Sequence, residues 1–307
     1  MGKESGQSAR QGTARSTGED GEDDSTDLAA SQASVRALVD RLAPGWQPAQ
    51  NVAAAHELAE LARAQGARRR AVKAGAVPPL VAMLARHNDS LLEPACACLS
   101  VLAQDDEGRR LMISTGAARP LVLALRSTRS AVLREASGAL WNMTHKNDAG
   151  AQAIVTARGI PALVEQLSSA DEHLLINALS TLANIATTPS GRASVGAPNL
   201  GAVPAATRVV HSGGAASRRA AARLLANLTH GPKSVSNTAA AQINKAGGVG
   251  ALVQMLGSGD ESGRDAAVEC LGNLSKDTKL KGAIVQAFGK SVCLSVCLSV
   301  CLSVCLS

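Results

Sequence analysis

The stretch "GAVPPLVAML", residues 75–84, decides the fold of this chain because it recurs. "GAARPLVLAL" starts at Gly116, "RGIPALVEQL" at Arg158, "GAVPAATRVV" at Gly201 and "GGVGALVQML" at Gly247. The starts lie 41, 42, 43 and 46 residues apart. A degenerate earlier copy, "VRALVDRL", ends at Leu42, 42 residues before Leu84. A second segment keeps step with the first: "CLSVLA" at Cys98, "ALWNMT" at Ala139, "TLANIA" at Thr181, "LLANLT" at Leu224 and "CLGNLS" at Cys270. Polar breaks such as "RSTRS" and "SSADE" separate the two segments. A period near 40 residues is the mark of a stacked-repeat architecture.

Each part of the unit has a physical reading. Glycine after a short polar helix admits the left-handed residue that ends it. Proline at the start of the next helix is harmless, because first-turn N–H groups have no intrahelical partner. In "PPLVAML", Leu80, Val81 and Leu84 then share one apolar face. In the longer helix that follows, Leu179, Leu182 and Ile185 around Asn184 form the inward stripe. No unit of this size buries its own apolar face, so neighbouring copies must stack. The expectation is an all-α solenoid of about five to six three-helix repeats over residues 34–290.

Composition agrees with that expectation. Apolar residues make up 46% of the 307, yet aromatics are confined to Trp46, Trp141 and Phe288. Small aliphatic side chains suit helices packed at close range. Charge is divided. Residues 1–33 carry Lys3, Arg10 and Arg15 against Glu4, Glu19, Asp20, Glu22, Asp23, Asp24 and Asp27, within a chain of net charge +6. That polar segment is expected to be a disordered acidic tail. No secretory signal is expected in so polar a segment, and Gly6 stands where a myristoylation pattern asks for Ser or Thr.

Catalytic motifs are missing: there is no P-loop, G-x-S-x-G, H-E-x-x-H or dinucleotide fingerprint. Cys96, Cys98 and Cys270 fall on apolar helical stretches without C-x-x-C or zinc spacing. They read as reduced core thiols, and no metal or cofactor is expected. His145 and His230 read as helix-end residues. The chain offers few aromatic platforms for bases, so no nucleic-acid partner is expected.

"AGAVPPLVAML" and "GALWNMT", with the bend at glycine, resemble the armadillo-repeat family. The resemblance covers about residues 34–290 and implies a right-handed α-solenoid whose third helices line a concave groove. In that family, as in importin-α and β-catenin, an asparagine on each third helix hydrogen-bonds an extended peptide. The matching positions are Asn142, Asn184, Asn227 and Asn273, while Glu60 and Val101 depart from the pattern. A carboxamide both donates and accepts, so it can meet peptide N–H and C=O groups without reading side chains. The competing reading is that these asparagines tie neighbouring third helices together. Candidate groove charges are Arg134, Arg219, Arg223 and Glu269, with Lys146, Lys276, Glu135 and Asp265 nearby.

Importin-α pairs each such asparagine with a tryptophan four residues earlier. Here those positions hold Gly138, Ser180, Arg223 and Glu269. Trp141 directly precedes Asn142 and is expected to be buried. The segment 138–167 is most similar to vacuolar armadillo-repeat adaptors, and less similar to importin-α. The implied function is a non-catalytic scaffold that binds extended segments of partner proteins, with membranes met only indirectly. It is expected in the cytoplasm, with the nucleus or an organelle surface as other locations. The alternatives are a regulatory fragment of a larger enzyme, such as an armadillo-repeat ubiquitin ligase, or a nuclear transport adaptor.

The chain closes on "SVCLSVCLSVCLSVCLS", residues 291–307. Evenly spaced Cys alone is a poor ligand set, and Val304 stands where a prenylation site needs Cys. The four-base unit TGTC read through its three phases encodes Cys-Leu-Ser-Val. Gly289-Lys290-Ser291 can also be written with GTAAGT, an intron start. The tail is therefore expected to be intron read-through and not a folded element. The helix "DTKLKGAIVQAFG" before it is expected to stop near Phe288, where the next helix should begin.

Overall fold

The computed structural model describes residues 32–290, apart from 87, 232 and 259. The expected 1–33 arm, save its last two residues, and the 291–307 tail lie outside the described residues. The chain opens with α1 (32–40) and α2 (Pro48–Leu61), a copy without a first helix. Three-helix units follow: α3 (Gln65–Lys73), α4 (Val77–Leu84) and α5 (Asp89–Leu102), then α6 (Asp106–Ser114), α7 (Ala118–Ala124) and α8 (Ser130–Thr144). The next are α9 (Asp148–Thr156), α10 (Gly159–Glu165) and α11 (Glu172–Ile185), then α12 (Pro189–Val195), α13 (Ala202–Ser212) and α14 (Ala215–Thr229). Last come α15 (Lys233–Lys245), α16 (Gly248–Leu256) and α17 (Glu261–Leu274), followed by α18 (Thr278–Lys290). No strand occurs among the described residues.

The third helices α2, α5, α8, α11, α14 and α17 pack in series, each on the next. Their inward stripes close one continuous core in which Leu99, Leu140, Leu179, Leu182, Leu225 and Leu271 are fully buried. Alanine at Ala95, Ala136, Ala178, Ala221 and Ala267 is buried beside them and lets the helices approach closely. This serial packing is the solenoid that the period implied.

Two joints set the geometry of every unit. Between first and second helices the chain turns through a left-handed residue: Gly75 (φ 84°), Gly116 (φ 73°), Gly201 (φ 70°) and Gly247 (φ 75°). The middle copy uses Arg158 (φ 56°) instead. Between a third helix and the next first helix, Asp105, Asn147 and Thr188 cap by accepting from the N–H of Gly108, Gly150 and Gly191. A Cβ at those glycines would run into the carbonyl oxygens of Leu102, Met143 and Ile185, so the sharp corner requires glycine.

One residue further on, arginine satisfies the end of the preceding third helix. Arg68 donates to the Ala62 carbonyl (3.1 Å), Arg109 to Ala103 (2.9 Å) and Arg192 to Ala186 (3.3 Å) and Thr187 (3.0 Å). A cation over the orphan carbonyls also complements the helix dipole. Ala151 takes this position in the "NDAGA" copy.

Two details depart from a regular array. The segment "GAPNLG" (196–201), which carries an insertion of two residues relative to the neighbouring copies, follows a shortened α12 and forms a 3₁₀ turn over Pro198–Leu200 before α13. At the other end, α18 does not stop near Phe288 but continues to Lys290. Phe288 occupies the place of Gly116 and Arg158, and a bulky side chain resists the left-handed conformation. It stays helical and is buried.

Candidate functional site

The four asparagines lie at equivalent places on α8, α11, α14 and α17, and each reaches back toward the preceding third helix. Asn142 Nδ2 donates to the Ser100 carbonyl (2.9 Å), Asn227 to Ala183 (2.8 Å) and Asn273 to Ala226 (3.3 Å). Each acceptor is the residue just before the ladder position of the preceding copy: Val101, Asn184 and Asn227. The carboxamides thus tie neighbouring third helices together.

Asn184 breaks the rule. Its regular acceptor would be the carbonyl of Trp141. It instead donates to Thr144 Oγ1 (3.0 Å), and that hydroxyl donates to the Trp141 carbonyl (2.9 Å). Thr144 is buried, as is Asn184, so this step runs through an internal hydroxyl relay.

The acceptor oxygens separate the four. Asn184 Oδ1 receives Arg223 (3.3 Å) and Asn273 Oδ1 receives Lys276 Nζ (3.0 Å). No described residue donates to Oδ1 of Asn142 or Asn227, and both residues are half-exposed. In these two carboxamides the oxygen and the second N–H have no described partner. Glu60 is exposed at its ladder position, and Val101 is partly buried and packs on the core.

Trp141 is not buried as expected. It is 37% exposed, because Ala139, Leu140, Met143 and Thr144 take the inward positions of α8. The intervening residue is therefore turned outward. Equivalent places in the neighbouring copies hold the small residues Ser100 and Ala183. The indole flanks Asn142, while Gly138 one turn earlier lies close against Ser100 and Asn177 of the neighbouring third helices. Trp141 stands beside the open carboxamide on the exposed face of α8; the sequence placed it directly before Asn142 but assigned it to the core.

The groove charges are largely engaged. Arg134 pairs with Asp171 (2.8 Å), and that carboxylate also caps α11 by accepting from His173 N (3.0 Å) and Leu174 N (3.2 Å). The Arg134 hydrogen bond foremost holds the Asp171 carboxyl below its ordinary range. Arg219 pairs with Asp260 ahead of α17 (3.2 Å), and Arg129 with Glu93. These side chains link the N-terminal ends of adjacent third helices. Glu269 is exposed and forms no ion pair among the described residues. Glu135 is half-buried. Burial pushes its carboxyl up, Arg134 and Arg63 oppose that shift, and Glu93 adds to it.

His145 and His230 follow the last residues of α8 and α14 as C-caps. Cys96, Cys98 and Cys270 are free thiols in the core. Burial pushes all three up, Cys270 to about 12. A thiol so held has little thiolate and little reactivity.

The profile of the armadillo/beta-catenin-like repeat family matches residues 65–104, 105–145, 147–187 and 237–276, just over half of the chain. It passes over the copy that carries the insertion within "GAPNLG", although that copy folds as three helices. Among solved structures, a crystal structure of an engineered protein is similar at 32% identity over 79% of this chain and 96% of that one (TM-score 0.71). Another engineered protein is 30% identical over 86% of this chain and 68% of that one (TM-score 0.76). A designed armadillo repeat protein in complex with the peptide (KR)4 shares the fold at 22% identity, over 78% of this chain and 99% of that one (TM-score 0.68). A search of the curated proteins found no match. The repeat profile, the serial packing of third helices and the asparagine ladder lead to one assignment: the chain belongs to the armadillo/beta-catenin-like repeat family.

Proposed function

We propose that this chain is a non-catalytic adaptor that holds extended segments of partner proteins along the surface formed by its third helices. The observation that carries the reading is the pair of open carboxamides, Asn142 and Asn227, with exposed Trp141 beside the first. An extended segment presents alternating N–H and C=O groups, which such carboxamides meet, while an indole face takes up a side-chain stem. The designed armadillo repeat protein in complex with the peptide (KR)4 supports the idea that such a surface serves peptides.

Asn184 and Asn273 serve mainly to hold the array. The importin-like use of the groove is disfavoured by Gly138, Ser180, Arg223 and Glu269 where aromatic slots would stand. Within the family, residues 138–167 point to adaptors of the vacuolar type. We accordingly place the protein in the cytoplasm, meeting an organelle surface through a partner.

A displayed random-peptide library supplies the test. Selected peptides are titrated into the Trp46→Phe variant, where Trp141 is the remaining tryptophan. A saturable change in its emission is expected, lost in Asn142→Ala/Asn227→Ala at unchanged helicity. Binders that leave Trp141 silent and tolerate both changes would sink the proposal.

A further inference from the structure

A wide cavity lies away from the asparagine ladder. It is an open groove of about 860 Å³ between the second helices α4 and α7. Val81, Leu92 and Leu123 line it, and Leu123 is 51% exposed. Arg119, one turn before Leu123 on α7, and Arg126, in the turn just past the end of α7, flank Leu123 in the lining. Both arginines are exposed, and neither guanidinium is paired with a described residue. That sets them apart from Arg129, Arg134 and Arg219, which are all ion-paired. Asp89 is the acidic residue in the lining.

The chain carries a segment of matching charge outside the described residues: Glu19, Asp20, Glu22, Asp23, Asp24 and Asp27. Its attachment point is favourable. By the repeat register α1 holds the place of a second helix, and its C-terminal end is joined to that of α4 through Asn51. Asn51 clamps the end of α1 through the carbonyls of Arg41 (2.7 Å) and Ala43 (3.2 Å), and Arg86, past the end of α4, donates to Asn51 Oδ1 (2.9 Å). Two helix-to-helix steps therefore separate α1 from α7, roughly 20 Å at ordinary packing distance. Eight to thirteen residues of extended chain, from residue 32 back to Asp24 or Glu19, span about 26 to 43 Å. The acidic run reaches the groove without strain.

We propose that the acidic stretch of residues 19–24 docks on the α4–α7 groove of the same chain, its carboxylates on Arg119 and Arg126. The groove is then an internal receptor for the arm on the outer side of the array, and the asparagine ladder remains open to other ligands. This proposal does not depend on the peptide-binding reading above.

A photo-crosslinking residue introduced for Leu123 in the full chain tests the docking. In dilute solution and low salt, the crosslink is expected within one chain, on peptides containing residues 16–31. The charge reversal Arg119→Glu/Arg126→Glu should lower its yield several-fold. Reversing Glu19, Asp20, Glu22, Asp23 and Asp24 to lysine in that background should restore it. A crosslink joining two chains makes the groove an interface between copies and overturns the proposal. No crosslink, a crosslink elsewhere in the chain, or a yield indifferent to both reversals also overturns it. Circular dichroism of each variant establishes that the array is folded in every arm.

Discussion

At the scale of single residues, Arg158 holds a left-handed backbone (φ 56°) that its equivalents assign to glycine. An L-residue there is disfavoured by about 1–2 kcal/mol, offset in part by the lower unfolded-state entropy of arginine. Arg158→Gly is expected to stabilise the chain by about 0.5–1 kcal/mol, read as a raised thermal midpoint. Gly150→Ala should do the opposite. Its Cβ would meet the Met143 carbonyl, and a loss of about 1–3 kcal/mol is expected in urea unfolding. Arg192 is 6% exposed and serves the carbonyls of Ala186 and Thr187. Arg192→Met leaves them without that partner, and about 2–3 kcal/mol should be lost in the same measurement.

Among elements, the informative joint is α8 on α11. Asn184, Thr144 and the Trp141 carbonyl form one chain of hydrogen bonds. Thr144→Val and Asn184→Ala should each cost about 1–2 kcal/mol. Together they should lose less than the sum, because the second change removes a bond the first has already broken. A double-mutant cycle that adds strictly would refute the relay. Glu135 makes the pH dependence of the neighbouring joint predictable. Burial foremost raises its carboxyl above the unfolded value. Its favourable contribution is therefore complete below the unfolded pKa and is lost as pH rises through the folded one. Glu135→Gln should gain stability relative to the parent chain between pH 3 and pH 7, and a difference that shrinks over that interval would contradict the assignment. The exposed Arg134–Asp171 pair is expected to matter little, below about 1 kcal/mol.

Over the whole molecule, serial packing makes the core one shared structure, with no unit closed on itself. Cys96, Cys98 and Cys270 report on it, since they sit in α5 and α17, two third helices far apart in the series. All three should resist alkylation at pH 8 in the folded array and react on unfolding, as read by peptide mapping. Labelling of Cys270 well before the other two would show that the α15–α17 end opens independently. The insertion within "GAPNLG" illustrates the tolerance of such an array. It lengthens one connection after a shortened α12, yet α14 still packs between α11 and α17.

The repeat, the three helices of each unit, their order and the inward stripes were legible in the sequence alone. They follow from local chemistry: glycine at the turn, proline after it, and apolar residues at helical spacing. The ladder positions were legible too, because register repeats with the period. The use of the ladder was not. Whether a carboxamide faces a ligand or a neighbouring carbonyl depends on how closely Ser100, Ala183 and Ala226 approach from the preceding copy. Trp141 turned outward for the same reason: the pitch of α8 and the inward demands of Leu140 and Met143 left it no place in the core. The arginines that close the third helices and those that pair across them look alike as letters. The first kind meet carbonyls five or six residues back along the chain, whereas only the stacking of one copy on the next decided which carboxylate the second kind would meet, because those carboxylates lie about one repeat away and are joined by packing alone.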